Sequence, residues 1–283
     1  MHKKKRRKTL IIGAFAAMQS LVISCTTMER RALSYIEQLP EPRQSESVIT
    51  ERDIEILPPV VQRYFRFSRV IGKPKIESFG FVMQGRIRQS KDGNWMPMIS
   101  RQYNLLSNPA RVYFVRGPGT PMSGVDSYID GKGRMQIKLF NVLSVADATG
   151  YEMDKSALVT FLNDLVFCPL AYFSLPVTWE EIDKNHAELS IAHAGMAVNA
   201  IMTIADDGRI VNWESDDRFA EVEGEQRKDE WSTPFEKYDE VEGLRIPVAG
   251  RGIHNYDGTP YTYVELDNIS SLSWNILTLP AAP

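Results

Sequence analysis

The chain has 283 residues, 43% of them hydrophobic and 24% charged, with 33 Lys and Arg against 36 Asp and Glu. That length suits one large domain or two small ones, and a weakly acidic balance argues against a nucleic-acid partner. With only two cysteines, Cys25 and Cys168, a disulfide framework is excluded, so stability has to come from a hydrophobic core, which a chain of this size can supply.

In chain order, six consecutive basic residues, Lys3 to Lys8, precede an uncharged run from Leu10 to Ile23, LIIGAFAAMQSLVI. A basic stretch followed by a short apolar one reads as a secretory signal peptide. The run falls short of the about 20 apolar residues a membrane span needs. It closes on Val22-Ile23-Ser24-Cys25, which resembles the lipobox of bacterial lipoproteins: an aliphatic residue, a small residue, then cysteine. Ile23 departs from the small residue usual before the last position. The resemblance implies a diacylglyceryl group on the Cys25 sulfur, cleavage after residue 24, and an acyl chain such as palmitate on the new N-terminus. Several acyl chains anchor a protein durably. The expected location is the cell envelope, facing the periplasm or exterior, and the outer membrane if the bacterium has one, because Thr26 rather than Asp follows the cysteine. Loss of the six basic residues of the leader leaves 27 Lys and Arg against 36 Asp and Glu, a net charge near −9. Membrane contact is therefore expected through the anchor and not through headgroup electrostatics.

Residues 25–49 are mostly polar, with Pro40 and Pro42, and read as a lipidated tether. Residues 50–283 read as a single domain. Thr50 with Asp53 resembles a capping pair ahead of a short helix to Ile56, and Pro59 can open a second helix, PVVQRYFRF, at its first position. From Ile76 the pattern changes to period two, with Phe79, Phe81, Met83, Gly85 and Ile87 sharing one side. Asp92-Gly93, Asp130-Gly131, Asp207-Gly208 and Asp257-Gly258 lie between runs rich in Val, Ile, Tyr, Phe or Trp, and Asp-Gly suits hairpin turns. Strands are expected near 76–89, 94–106, 111–116, 124–130, 133–141, 185–194, 197–206, 209–219, 244–256 and 260–272. Hairpins between successive strands give a mostly antiparallel sheet. One apolar helix interrupts it, 155–167 capped by Asp154, with Leu158, Phe161, Leu162 and Leu165 on a broad face. Cys168, in LVFCPLAYF, reads as a buried small hydrophobe. The fold class is β-rich α+β: a curved antiparallel sheet with short N-terminal helices and one inserted helix.

No motif of nucleophilic, phosphate-binding or zinc chemistry occurs. His186 and His193 are seven apart, on opposite faces of an uninterrupted strand, and His254 stands alone on another, so no metal or other cofactor is expected. Alternation places Asp216 and Arg218 on one face and Asp217 on the other. A same-face carboxylate and guanidinium is a candidate polar pair for a cavity, although an outer ion pair is the commoner arrangement.

The segments LPPVVQRYFRFS (57–68), GKP (72–74), SYIDGKGRMQIKLF (127–140), PVTWEEID (176–183), DDGRI (206–210) and WSTPFEKYDEVEGLRIP (231–247) together resemble a bacterial family of unknown function, which carries no assigned active site. The series of hairpins with an apolar helix inserted midway is similar in architecture to the half-barrels of lipoprotein-sorting and lipoprotein-localisation factors. That likeness implies a cavity for acyl chains, with Phe79, Phe81, Met83, Leu158, Phe161, Leu162 and Leu165 as its candidate lining. The function expected is a membrane-anchored envelope lipoprotein that binds a hydrophobic or amphiphilic molecule. The alternatives are an envelope protein that assembles with a protein partner through a sheet edge or loop, and an enzyme of unrecognised type.

Overall fold

The computed structural model describes residues 28–43, 46–222 and 225–282; the expected signal peptide and Cys25 lie outside them. One antiparallel sheet of fourteen strands dominates the described residues. Its first arc runs in sequence order from the centre outward: Ser78–Ile87 (β1), Met96–Leu105 (β2), Ala110–Arg116 (β3), Met122–Ile129 (β4), Lys132–Leu139 (β5) and Leu143–Ala148 (β6). The second arc starts at the far edge with Thr178–Glu181 (β7), His186–His193 (β8), Met196–Ile204 (β9), Ile210–Val222 (β10) and Glu225–Ser232 (β11). It continues into Leu244–His254 (β13) and Tyr261–Trp274 (β14), while Phe235–Val241 (β12) folds back on β13 alone. The first and last strands join the arcs, with Phe79 opposite Trp274 and Ile87 opposite Val264. Extra residues bulge out of this joint at two places, and bulges bend and twist a sheet locally. The result is a curved half-barrel: alternation and hairpins imply its antiparallel sheet, and the architectural resemblance implies its shape.

Period two holds where it matters. Along β9, Met196, Val198, Ala200, Met202 and Ile204 are all buried while Ala197 and Asn199 are exposed, so one face of the strand builds the core. Asp130 and Gly131 both take positive φ, 50° and 77°, the pair required by a tight hairpin turn. The same geometry recurs at Ala194-Gly195 and Glu242-Gly243, whereas Gly93 does not take positive φ. Four strands fall outside the expected ten: β6, β7, β11 and β12. β11 and β12, EQRKDEWS and FEKYDEV, are mostly charged and largely exposed, so no apolar alternation marks them, and β6 and β7 are short and largely exposed.

The segment read as a tether contains a further helix, α1 (28–36). Met28, Ala32 and Ile36 are buried on the outer face of the sheet against Tyr103, Val112 and Phe114. Spacing of four makes one stripe on a helix, which the polar average of the segment conceals. Arg31 Nη1 donates to Gln136 Oε1 at 2.8 Å, and Glu29 pairs with Arg101. Next come Glu51–Glu55 (α2) and Pro59–Ser68 (α3). The Asp53 carboxylate accepts the Thr50 N–H at 2.8 Å and hydroxyl at 2.6 Å, as the capping pattern implies. α3 places Phe65 edge-on to Tyr172 and Trp179, sealing one end of the core.

The inserted helix, Tyr151–Asp164 (α4), starts a turn earlier than expected, capped by Gly150 and not by Asp154. Asp154 instead accepts the Gly133 N–H at 2.8 Å and Lys132 Nζ at 2.9 Å, tying the helix to β5. Gly133 permits that approach, since a Cβ there would lie 2.4 Å from the Met153 carbonyl oxygen. Two short 3₁₀ segments follow, Leu165–Phe167 and Pro169–Ser174. The helix spans the concave side and touches β4 and β5 on one arc, β9 and β10 on the other.

Candidate functional site: an apolar cleft with two inward-facing arginines

The inner faces of both arcs leave a cleft of about 210 Å³ against the last turn of α4. A cavity of roughly 10–15 Å³ already holds a water molecule, so this space is too large to be a packing defect. Met83 and Ile87 of β1, Met98 of β2, Ile137 of β5 and Phe167 supply much of its apolar wall. Phe235 and Leu266 close it from the second arc.

Two polar stations interrupt that wall. The first is Arg111, on the inner side of β3. Its Nε donates to Asp164 Oδ2 at 2.6 Å and its Nη1 to Asp126 Oδ2 at 2.7 Å. Gln102 Nε2 also donates to Asp164 Oδ2, at 2.6 Å. Burial alone would lower the Arg111 pKa, but the two carboxylates outweigh it and hold the guanidinium above its usual range. Burial raises the Asp164 carboxyl above the ordinary carboxylate range, against the opposing pull of Arg111. The guanidinium also lies 4.9 Å from the Tyr113 ring centroid. Pairs of this kind fix geometry more than they add net stability, and this one pins the end of α4 to the wall.

The second station is Arg218, whose carbon Cζ lies 4.3 Å from the centroid of the Trp231 ring. Its Nε and Nη1 are buried without a hydrogen-bond partner among the described residues. Nearby, Asn163 Nδ2 donates to Thr233 Oγ1 at 2.8 Å and Trp231 Nε1 to the Tyr263 hydroxyl at 3.1 Å. Tyr263 stacks at 4.0 Å on His254, which pairs with the fully buried Asp229. Burial lowers the His254 pKa and Asp229 opposes that shift.

The proposed pairing of Asp216 with Arg218 is overturned. Between Ser215 and Arg218 the β10–β11 register shifts, and Arg218 stands opposite Asp229. The extra residue reverses the alternation, so Arg218 joins the inner face while Asp216 lies exposed outside beside Glu214 and Glu230. Asp217 accepts Lys155 Nζ of α4 at 2.6 Å. A bulge moves every later side chain to the other face, and nothing in DDRF announces one.

The expected lining is corrected in the same way. Met83 reaches the cleft. Phe79 and Phe81, lower on the same face of β1, are fully buried, and Phe81 packs at 5.2 Å from Phe167. Leu158, Phe161, Leu162 and Leu165 are also fully buried in that core. The helix fills most of the concavity it crosses, and open space begins beside its last turn, at Thr160, Asn163 and Asp164. Arg111 escaped the sequence reading as a cleft residue, whereas Arg218, a candidate for a cavity from the sequence, lines the cleft without Asp216. A signal existed for Arg111, a charge within the apolar strand ARVYFVR, but none for the face of Arg218. The other titratable candidates lie elsewhere: His186 pairs with Asp183, and His193 bonds the Tyr128 hydroxyl at 2.7 Å. Burial pushes the Cys168 thiol up, as suits a packed sulfur. Among the described residues, no group of three His, Cys, Asp or Glu is placed to hold a metal, and no helix is long and apolar enough to cross a membrane.

Residues 47–266 match the model of a family of unknown function, DUF6544. The chain belongs to that family. All the landmark segments from Leu57 to Pro247 fall inside the matched span. No curated protein matches the chain. Among solved structures, this DUF6544 member is similar to a DUF1329 family protein from Desulfovibrio piger at 11% identity and a TM-score of 0.42, covering 77% of this chain and 92% of that one. It is also similar to a LolA superfamily protein from Nitrosomonas europaea at 11% identity and a TM-score of 0.40, covering 83% and 96%. Likeness at that level carries no conclusion about architecture or activity.

Proposed function

We propose that this DUF6544 member is a lipid-anchored protein of the bacterial cell envelope whose half-barrel holds a hydrophobic or amphiphilic molecule. The observation that carries the binding reading is the cleft itself, about 210 Å³ bounded mainly by apolar side chains. Pockets that are mostly apolar with a few placed polar groups are the usual form of small-molecule sites. The anchor and the envelope location are supported by the Val22–Cys25 motif behind a basic, then apolar, leader. Docking of α1 to the sheet from residue 28 leaves a short connection between Cys25 and the domain, so an anchored domain would sit close to its membrane.

The binding test uses the protein from residue 25 onward with Cys25→Ser, purified without detergent. Extraction and mass spectrometry should recover a bound amphiphile, and the emptied protein should take up a fluorescent fatty-acid probe. Neither outcome occurring would remove the binding reading. Metabolic labelling with a radioactive fatty acid tests the anchor, since wild type should label and Cys25→Ser should not.

One observation favours a second reading, assembly with a protein partner. The β6 edge strand and the turn before it expose Val142, Leu143 and Val145, and an unpaired edge is a template for strand addition.

A further inference from the structure

We propose that Arg218 is the headgroup-binding residue of the cleft, and that the ligand is a single-chain amphiphile ending in an oxyanion, a carboxylate or a phosphate monoester. This deepens the binding reading above and rests on it.

The argument starts from charge. A guanidinium does not deprotonate in a protein, so the inward turn at the β10 bulge delivers a permanent positive charge to an apolar wall. Leaving such a group without hydrogen bonds is costly, yet Nε and Nη1 are both buried and unpartnered among the described residues. The carboxylates around it are engaged elsewhere. Asp229, its cross-strand neighbour, accepts from His254 and from the Asn255 N–H at 2.7 Å. Asp126 and Asp164 are held by Arg111. The remaining arginine of the cleft, Arg251, pairs with Glu236 at 2.8 Å. Among the described residues, Arg218 alone of the three arginines lining the cleft has no carboxylate partner.

Geometry then selects the class of ligand. Trp231 lies against the guanidinium and leaves Nε and Nη1 free to donate. Each of these N–H groups can donate a charge-assisted hydrogen bond to an oxygen of a carboxylate or phosphate. A free inorganic anion would satisfy the charge but leave the apolar wall of Met83, Met98, Ile137 and Phe167 facing water. A chain with an anionic end satisfies both.

The test uses the Cys25→Ser protein and calorimetric titration with a long-chain fatty acid, the matched alkyl phosphate, the matched fatty alcohol and inorganic phosphate. Hydrogen bonds to charged groups predict that the two anionic amphiphiles bind roughly 10- to 100-fold more tightly than the alcohol. Arg218→Gln should erase that preference, bringing the anionic amphiphiles down to the affinity of the alcohol. Because the guanidinium has no hydrogen bond to lose among the described residues, only its contact with the Trp231 ring, Arg218→Gln should change the Tm of the empty protein little, whereas a structural role would lower it markedly. If the wild type binds alcohol as tightly as acid, the headgroup assignment falls and the apolar cleft stands. If inorganic phosphate alone binds as tightly as the amphiphiles, Arg218 is a free-anion site and the proposal is overturned. Binding of none of the four removes both readings together.

Discussion

Truncating Phe161 separates filled core from open cleft more sharply than any other single change. Phe161 is fully buried among Leu158, Leu162 and Leu165 on the inner side of α4, and the cleft wall does not include it. Phe161→Ala should therefore cost about 3–5 kcal/mol, the lost transfer energy plus the void left behind. For a domain of this size, about 2–4 °C per kcal/mol places the fall in Tm at roughly 6–20 °C. Phe161→Trp should also destabilise, by about 1–3 kcal/mol, because packed neighbours have no room to yield. Met83 supplies the contrast, being half-buried on the cleft wall. Full burial of a Met side chain is worth about 1.5–3 kcal/mol, so Met83→Ala should cost about 1 kcal/mol. Met83→Trp should keep the wild-type Tm and weaken uptake of a fluorescent fatty-acid probe. Differential scanning calorimetry and probe titration of the four variants read both effects. An unchanged Tm for Phe161→Trp together with weakened uptake would refute the reasoning, because Phe161 would then border the cleft.

Other expectations follow from local geometry. Gly208 has φ 93°, and a Cβ would lie 2.6 Å from the Arg63 carbonyl oxygen, whereas Gly258 at φ 75° faces open space. Gly208→Val should thus lower Tm well beyond the about 1–3 kcal/mol of backbone strain that Gly258→Val incurs, and equal losses would contradict the contact with α3. Arg111→Met leaves Asp164 buried without its partner and should cost about 3–5 kcal/mol in urea denaturation, while adding Asp164→Leu should recover much of the loss. The Asp53 carboxyl is held well below its usual range by Lys75 and then by Thr50. Its stabilisation is complete above the unfolded value of about 3.9 and disappears as pH falls below it. The gap in Tm between wild type and Asp53→Asn should therefore narrow from pH 5 to pH 2, and a constant gap would show that the carboxylate charge plays no part.

Local order was legible in the sequence. Residues that alternate along a strand or recur on one face of a helix carry their environment in their spacing, so Phe79 to Ile87, the Asp130-Gly131 turn, Pro59 and the broad face of α4 could be placed from the chain alone. The inner side of β1 was identified correctly as a set. Its division into core at Phe79 and Phe81 and cleft at Met83 and Ile87 was not, because that boundary depends on where another element ends. The helix 28–36 was hidden for a related reason: its buried stripe is narrow, and its worth depends on the outer face it covers.

The sequence by itself determined the antiparallel class, most of the hairpins, the inserted helix and the motif for an anchor. Tertiary structure decided the site. It joined the first strand to the last, stopped α4 short of filling the concavity, and turned Arg218 inward through one extra residue in β10. The physical reason is that alternation is a property of a strand, while a bulge, a curvature and an unfilled volume are properties of strands and helices fitted together. A single inserted residue reverses a face without changing the composition around it.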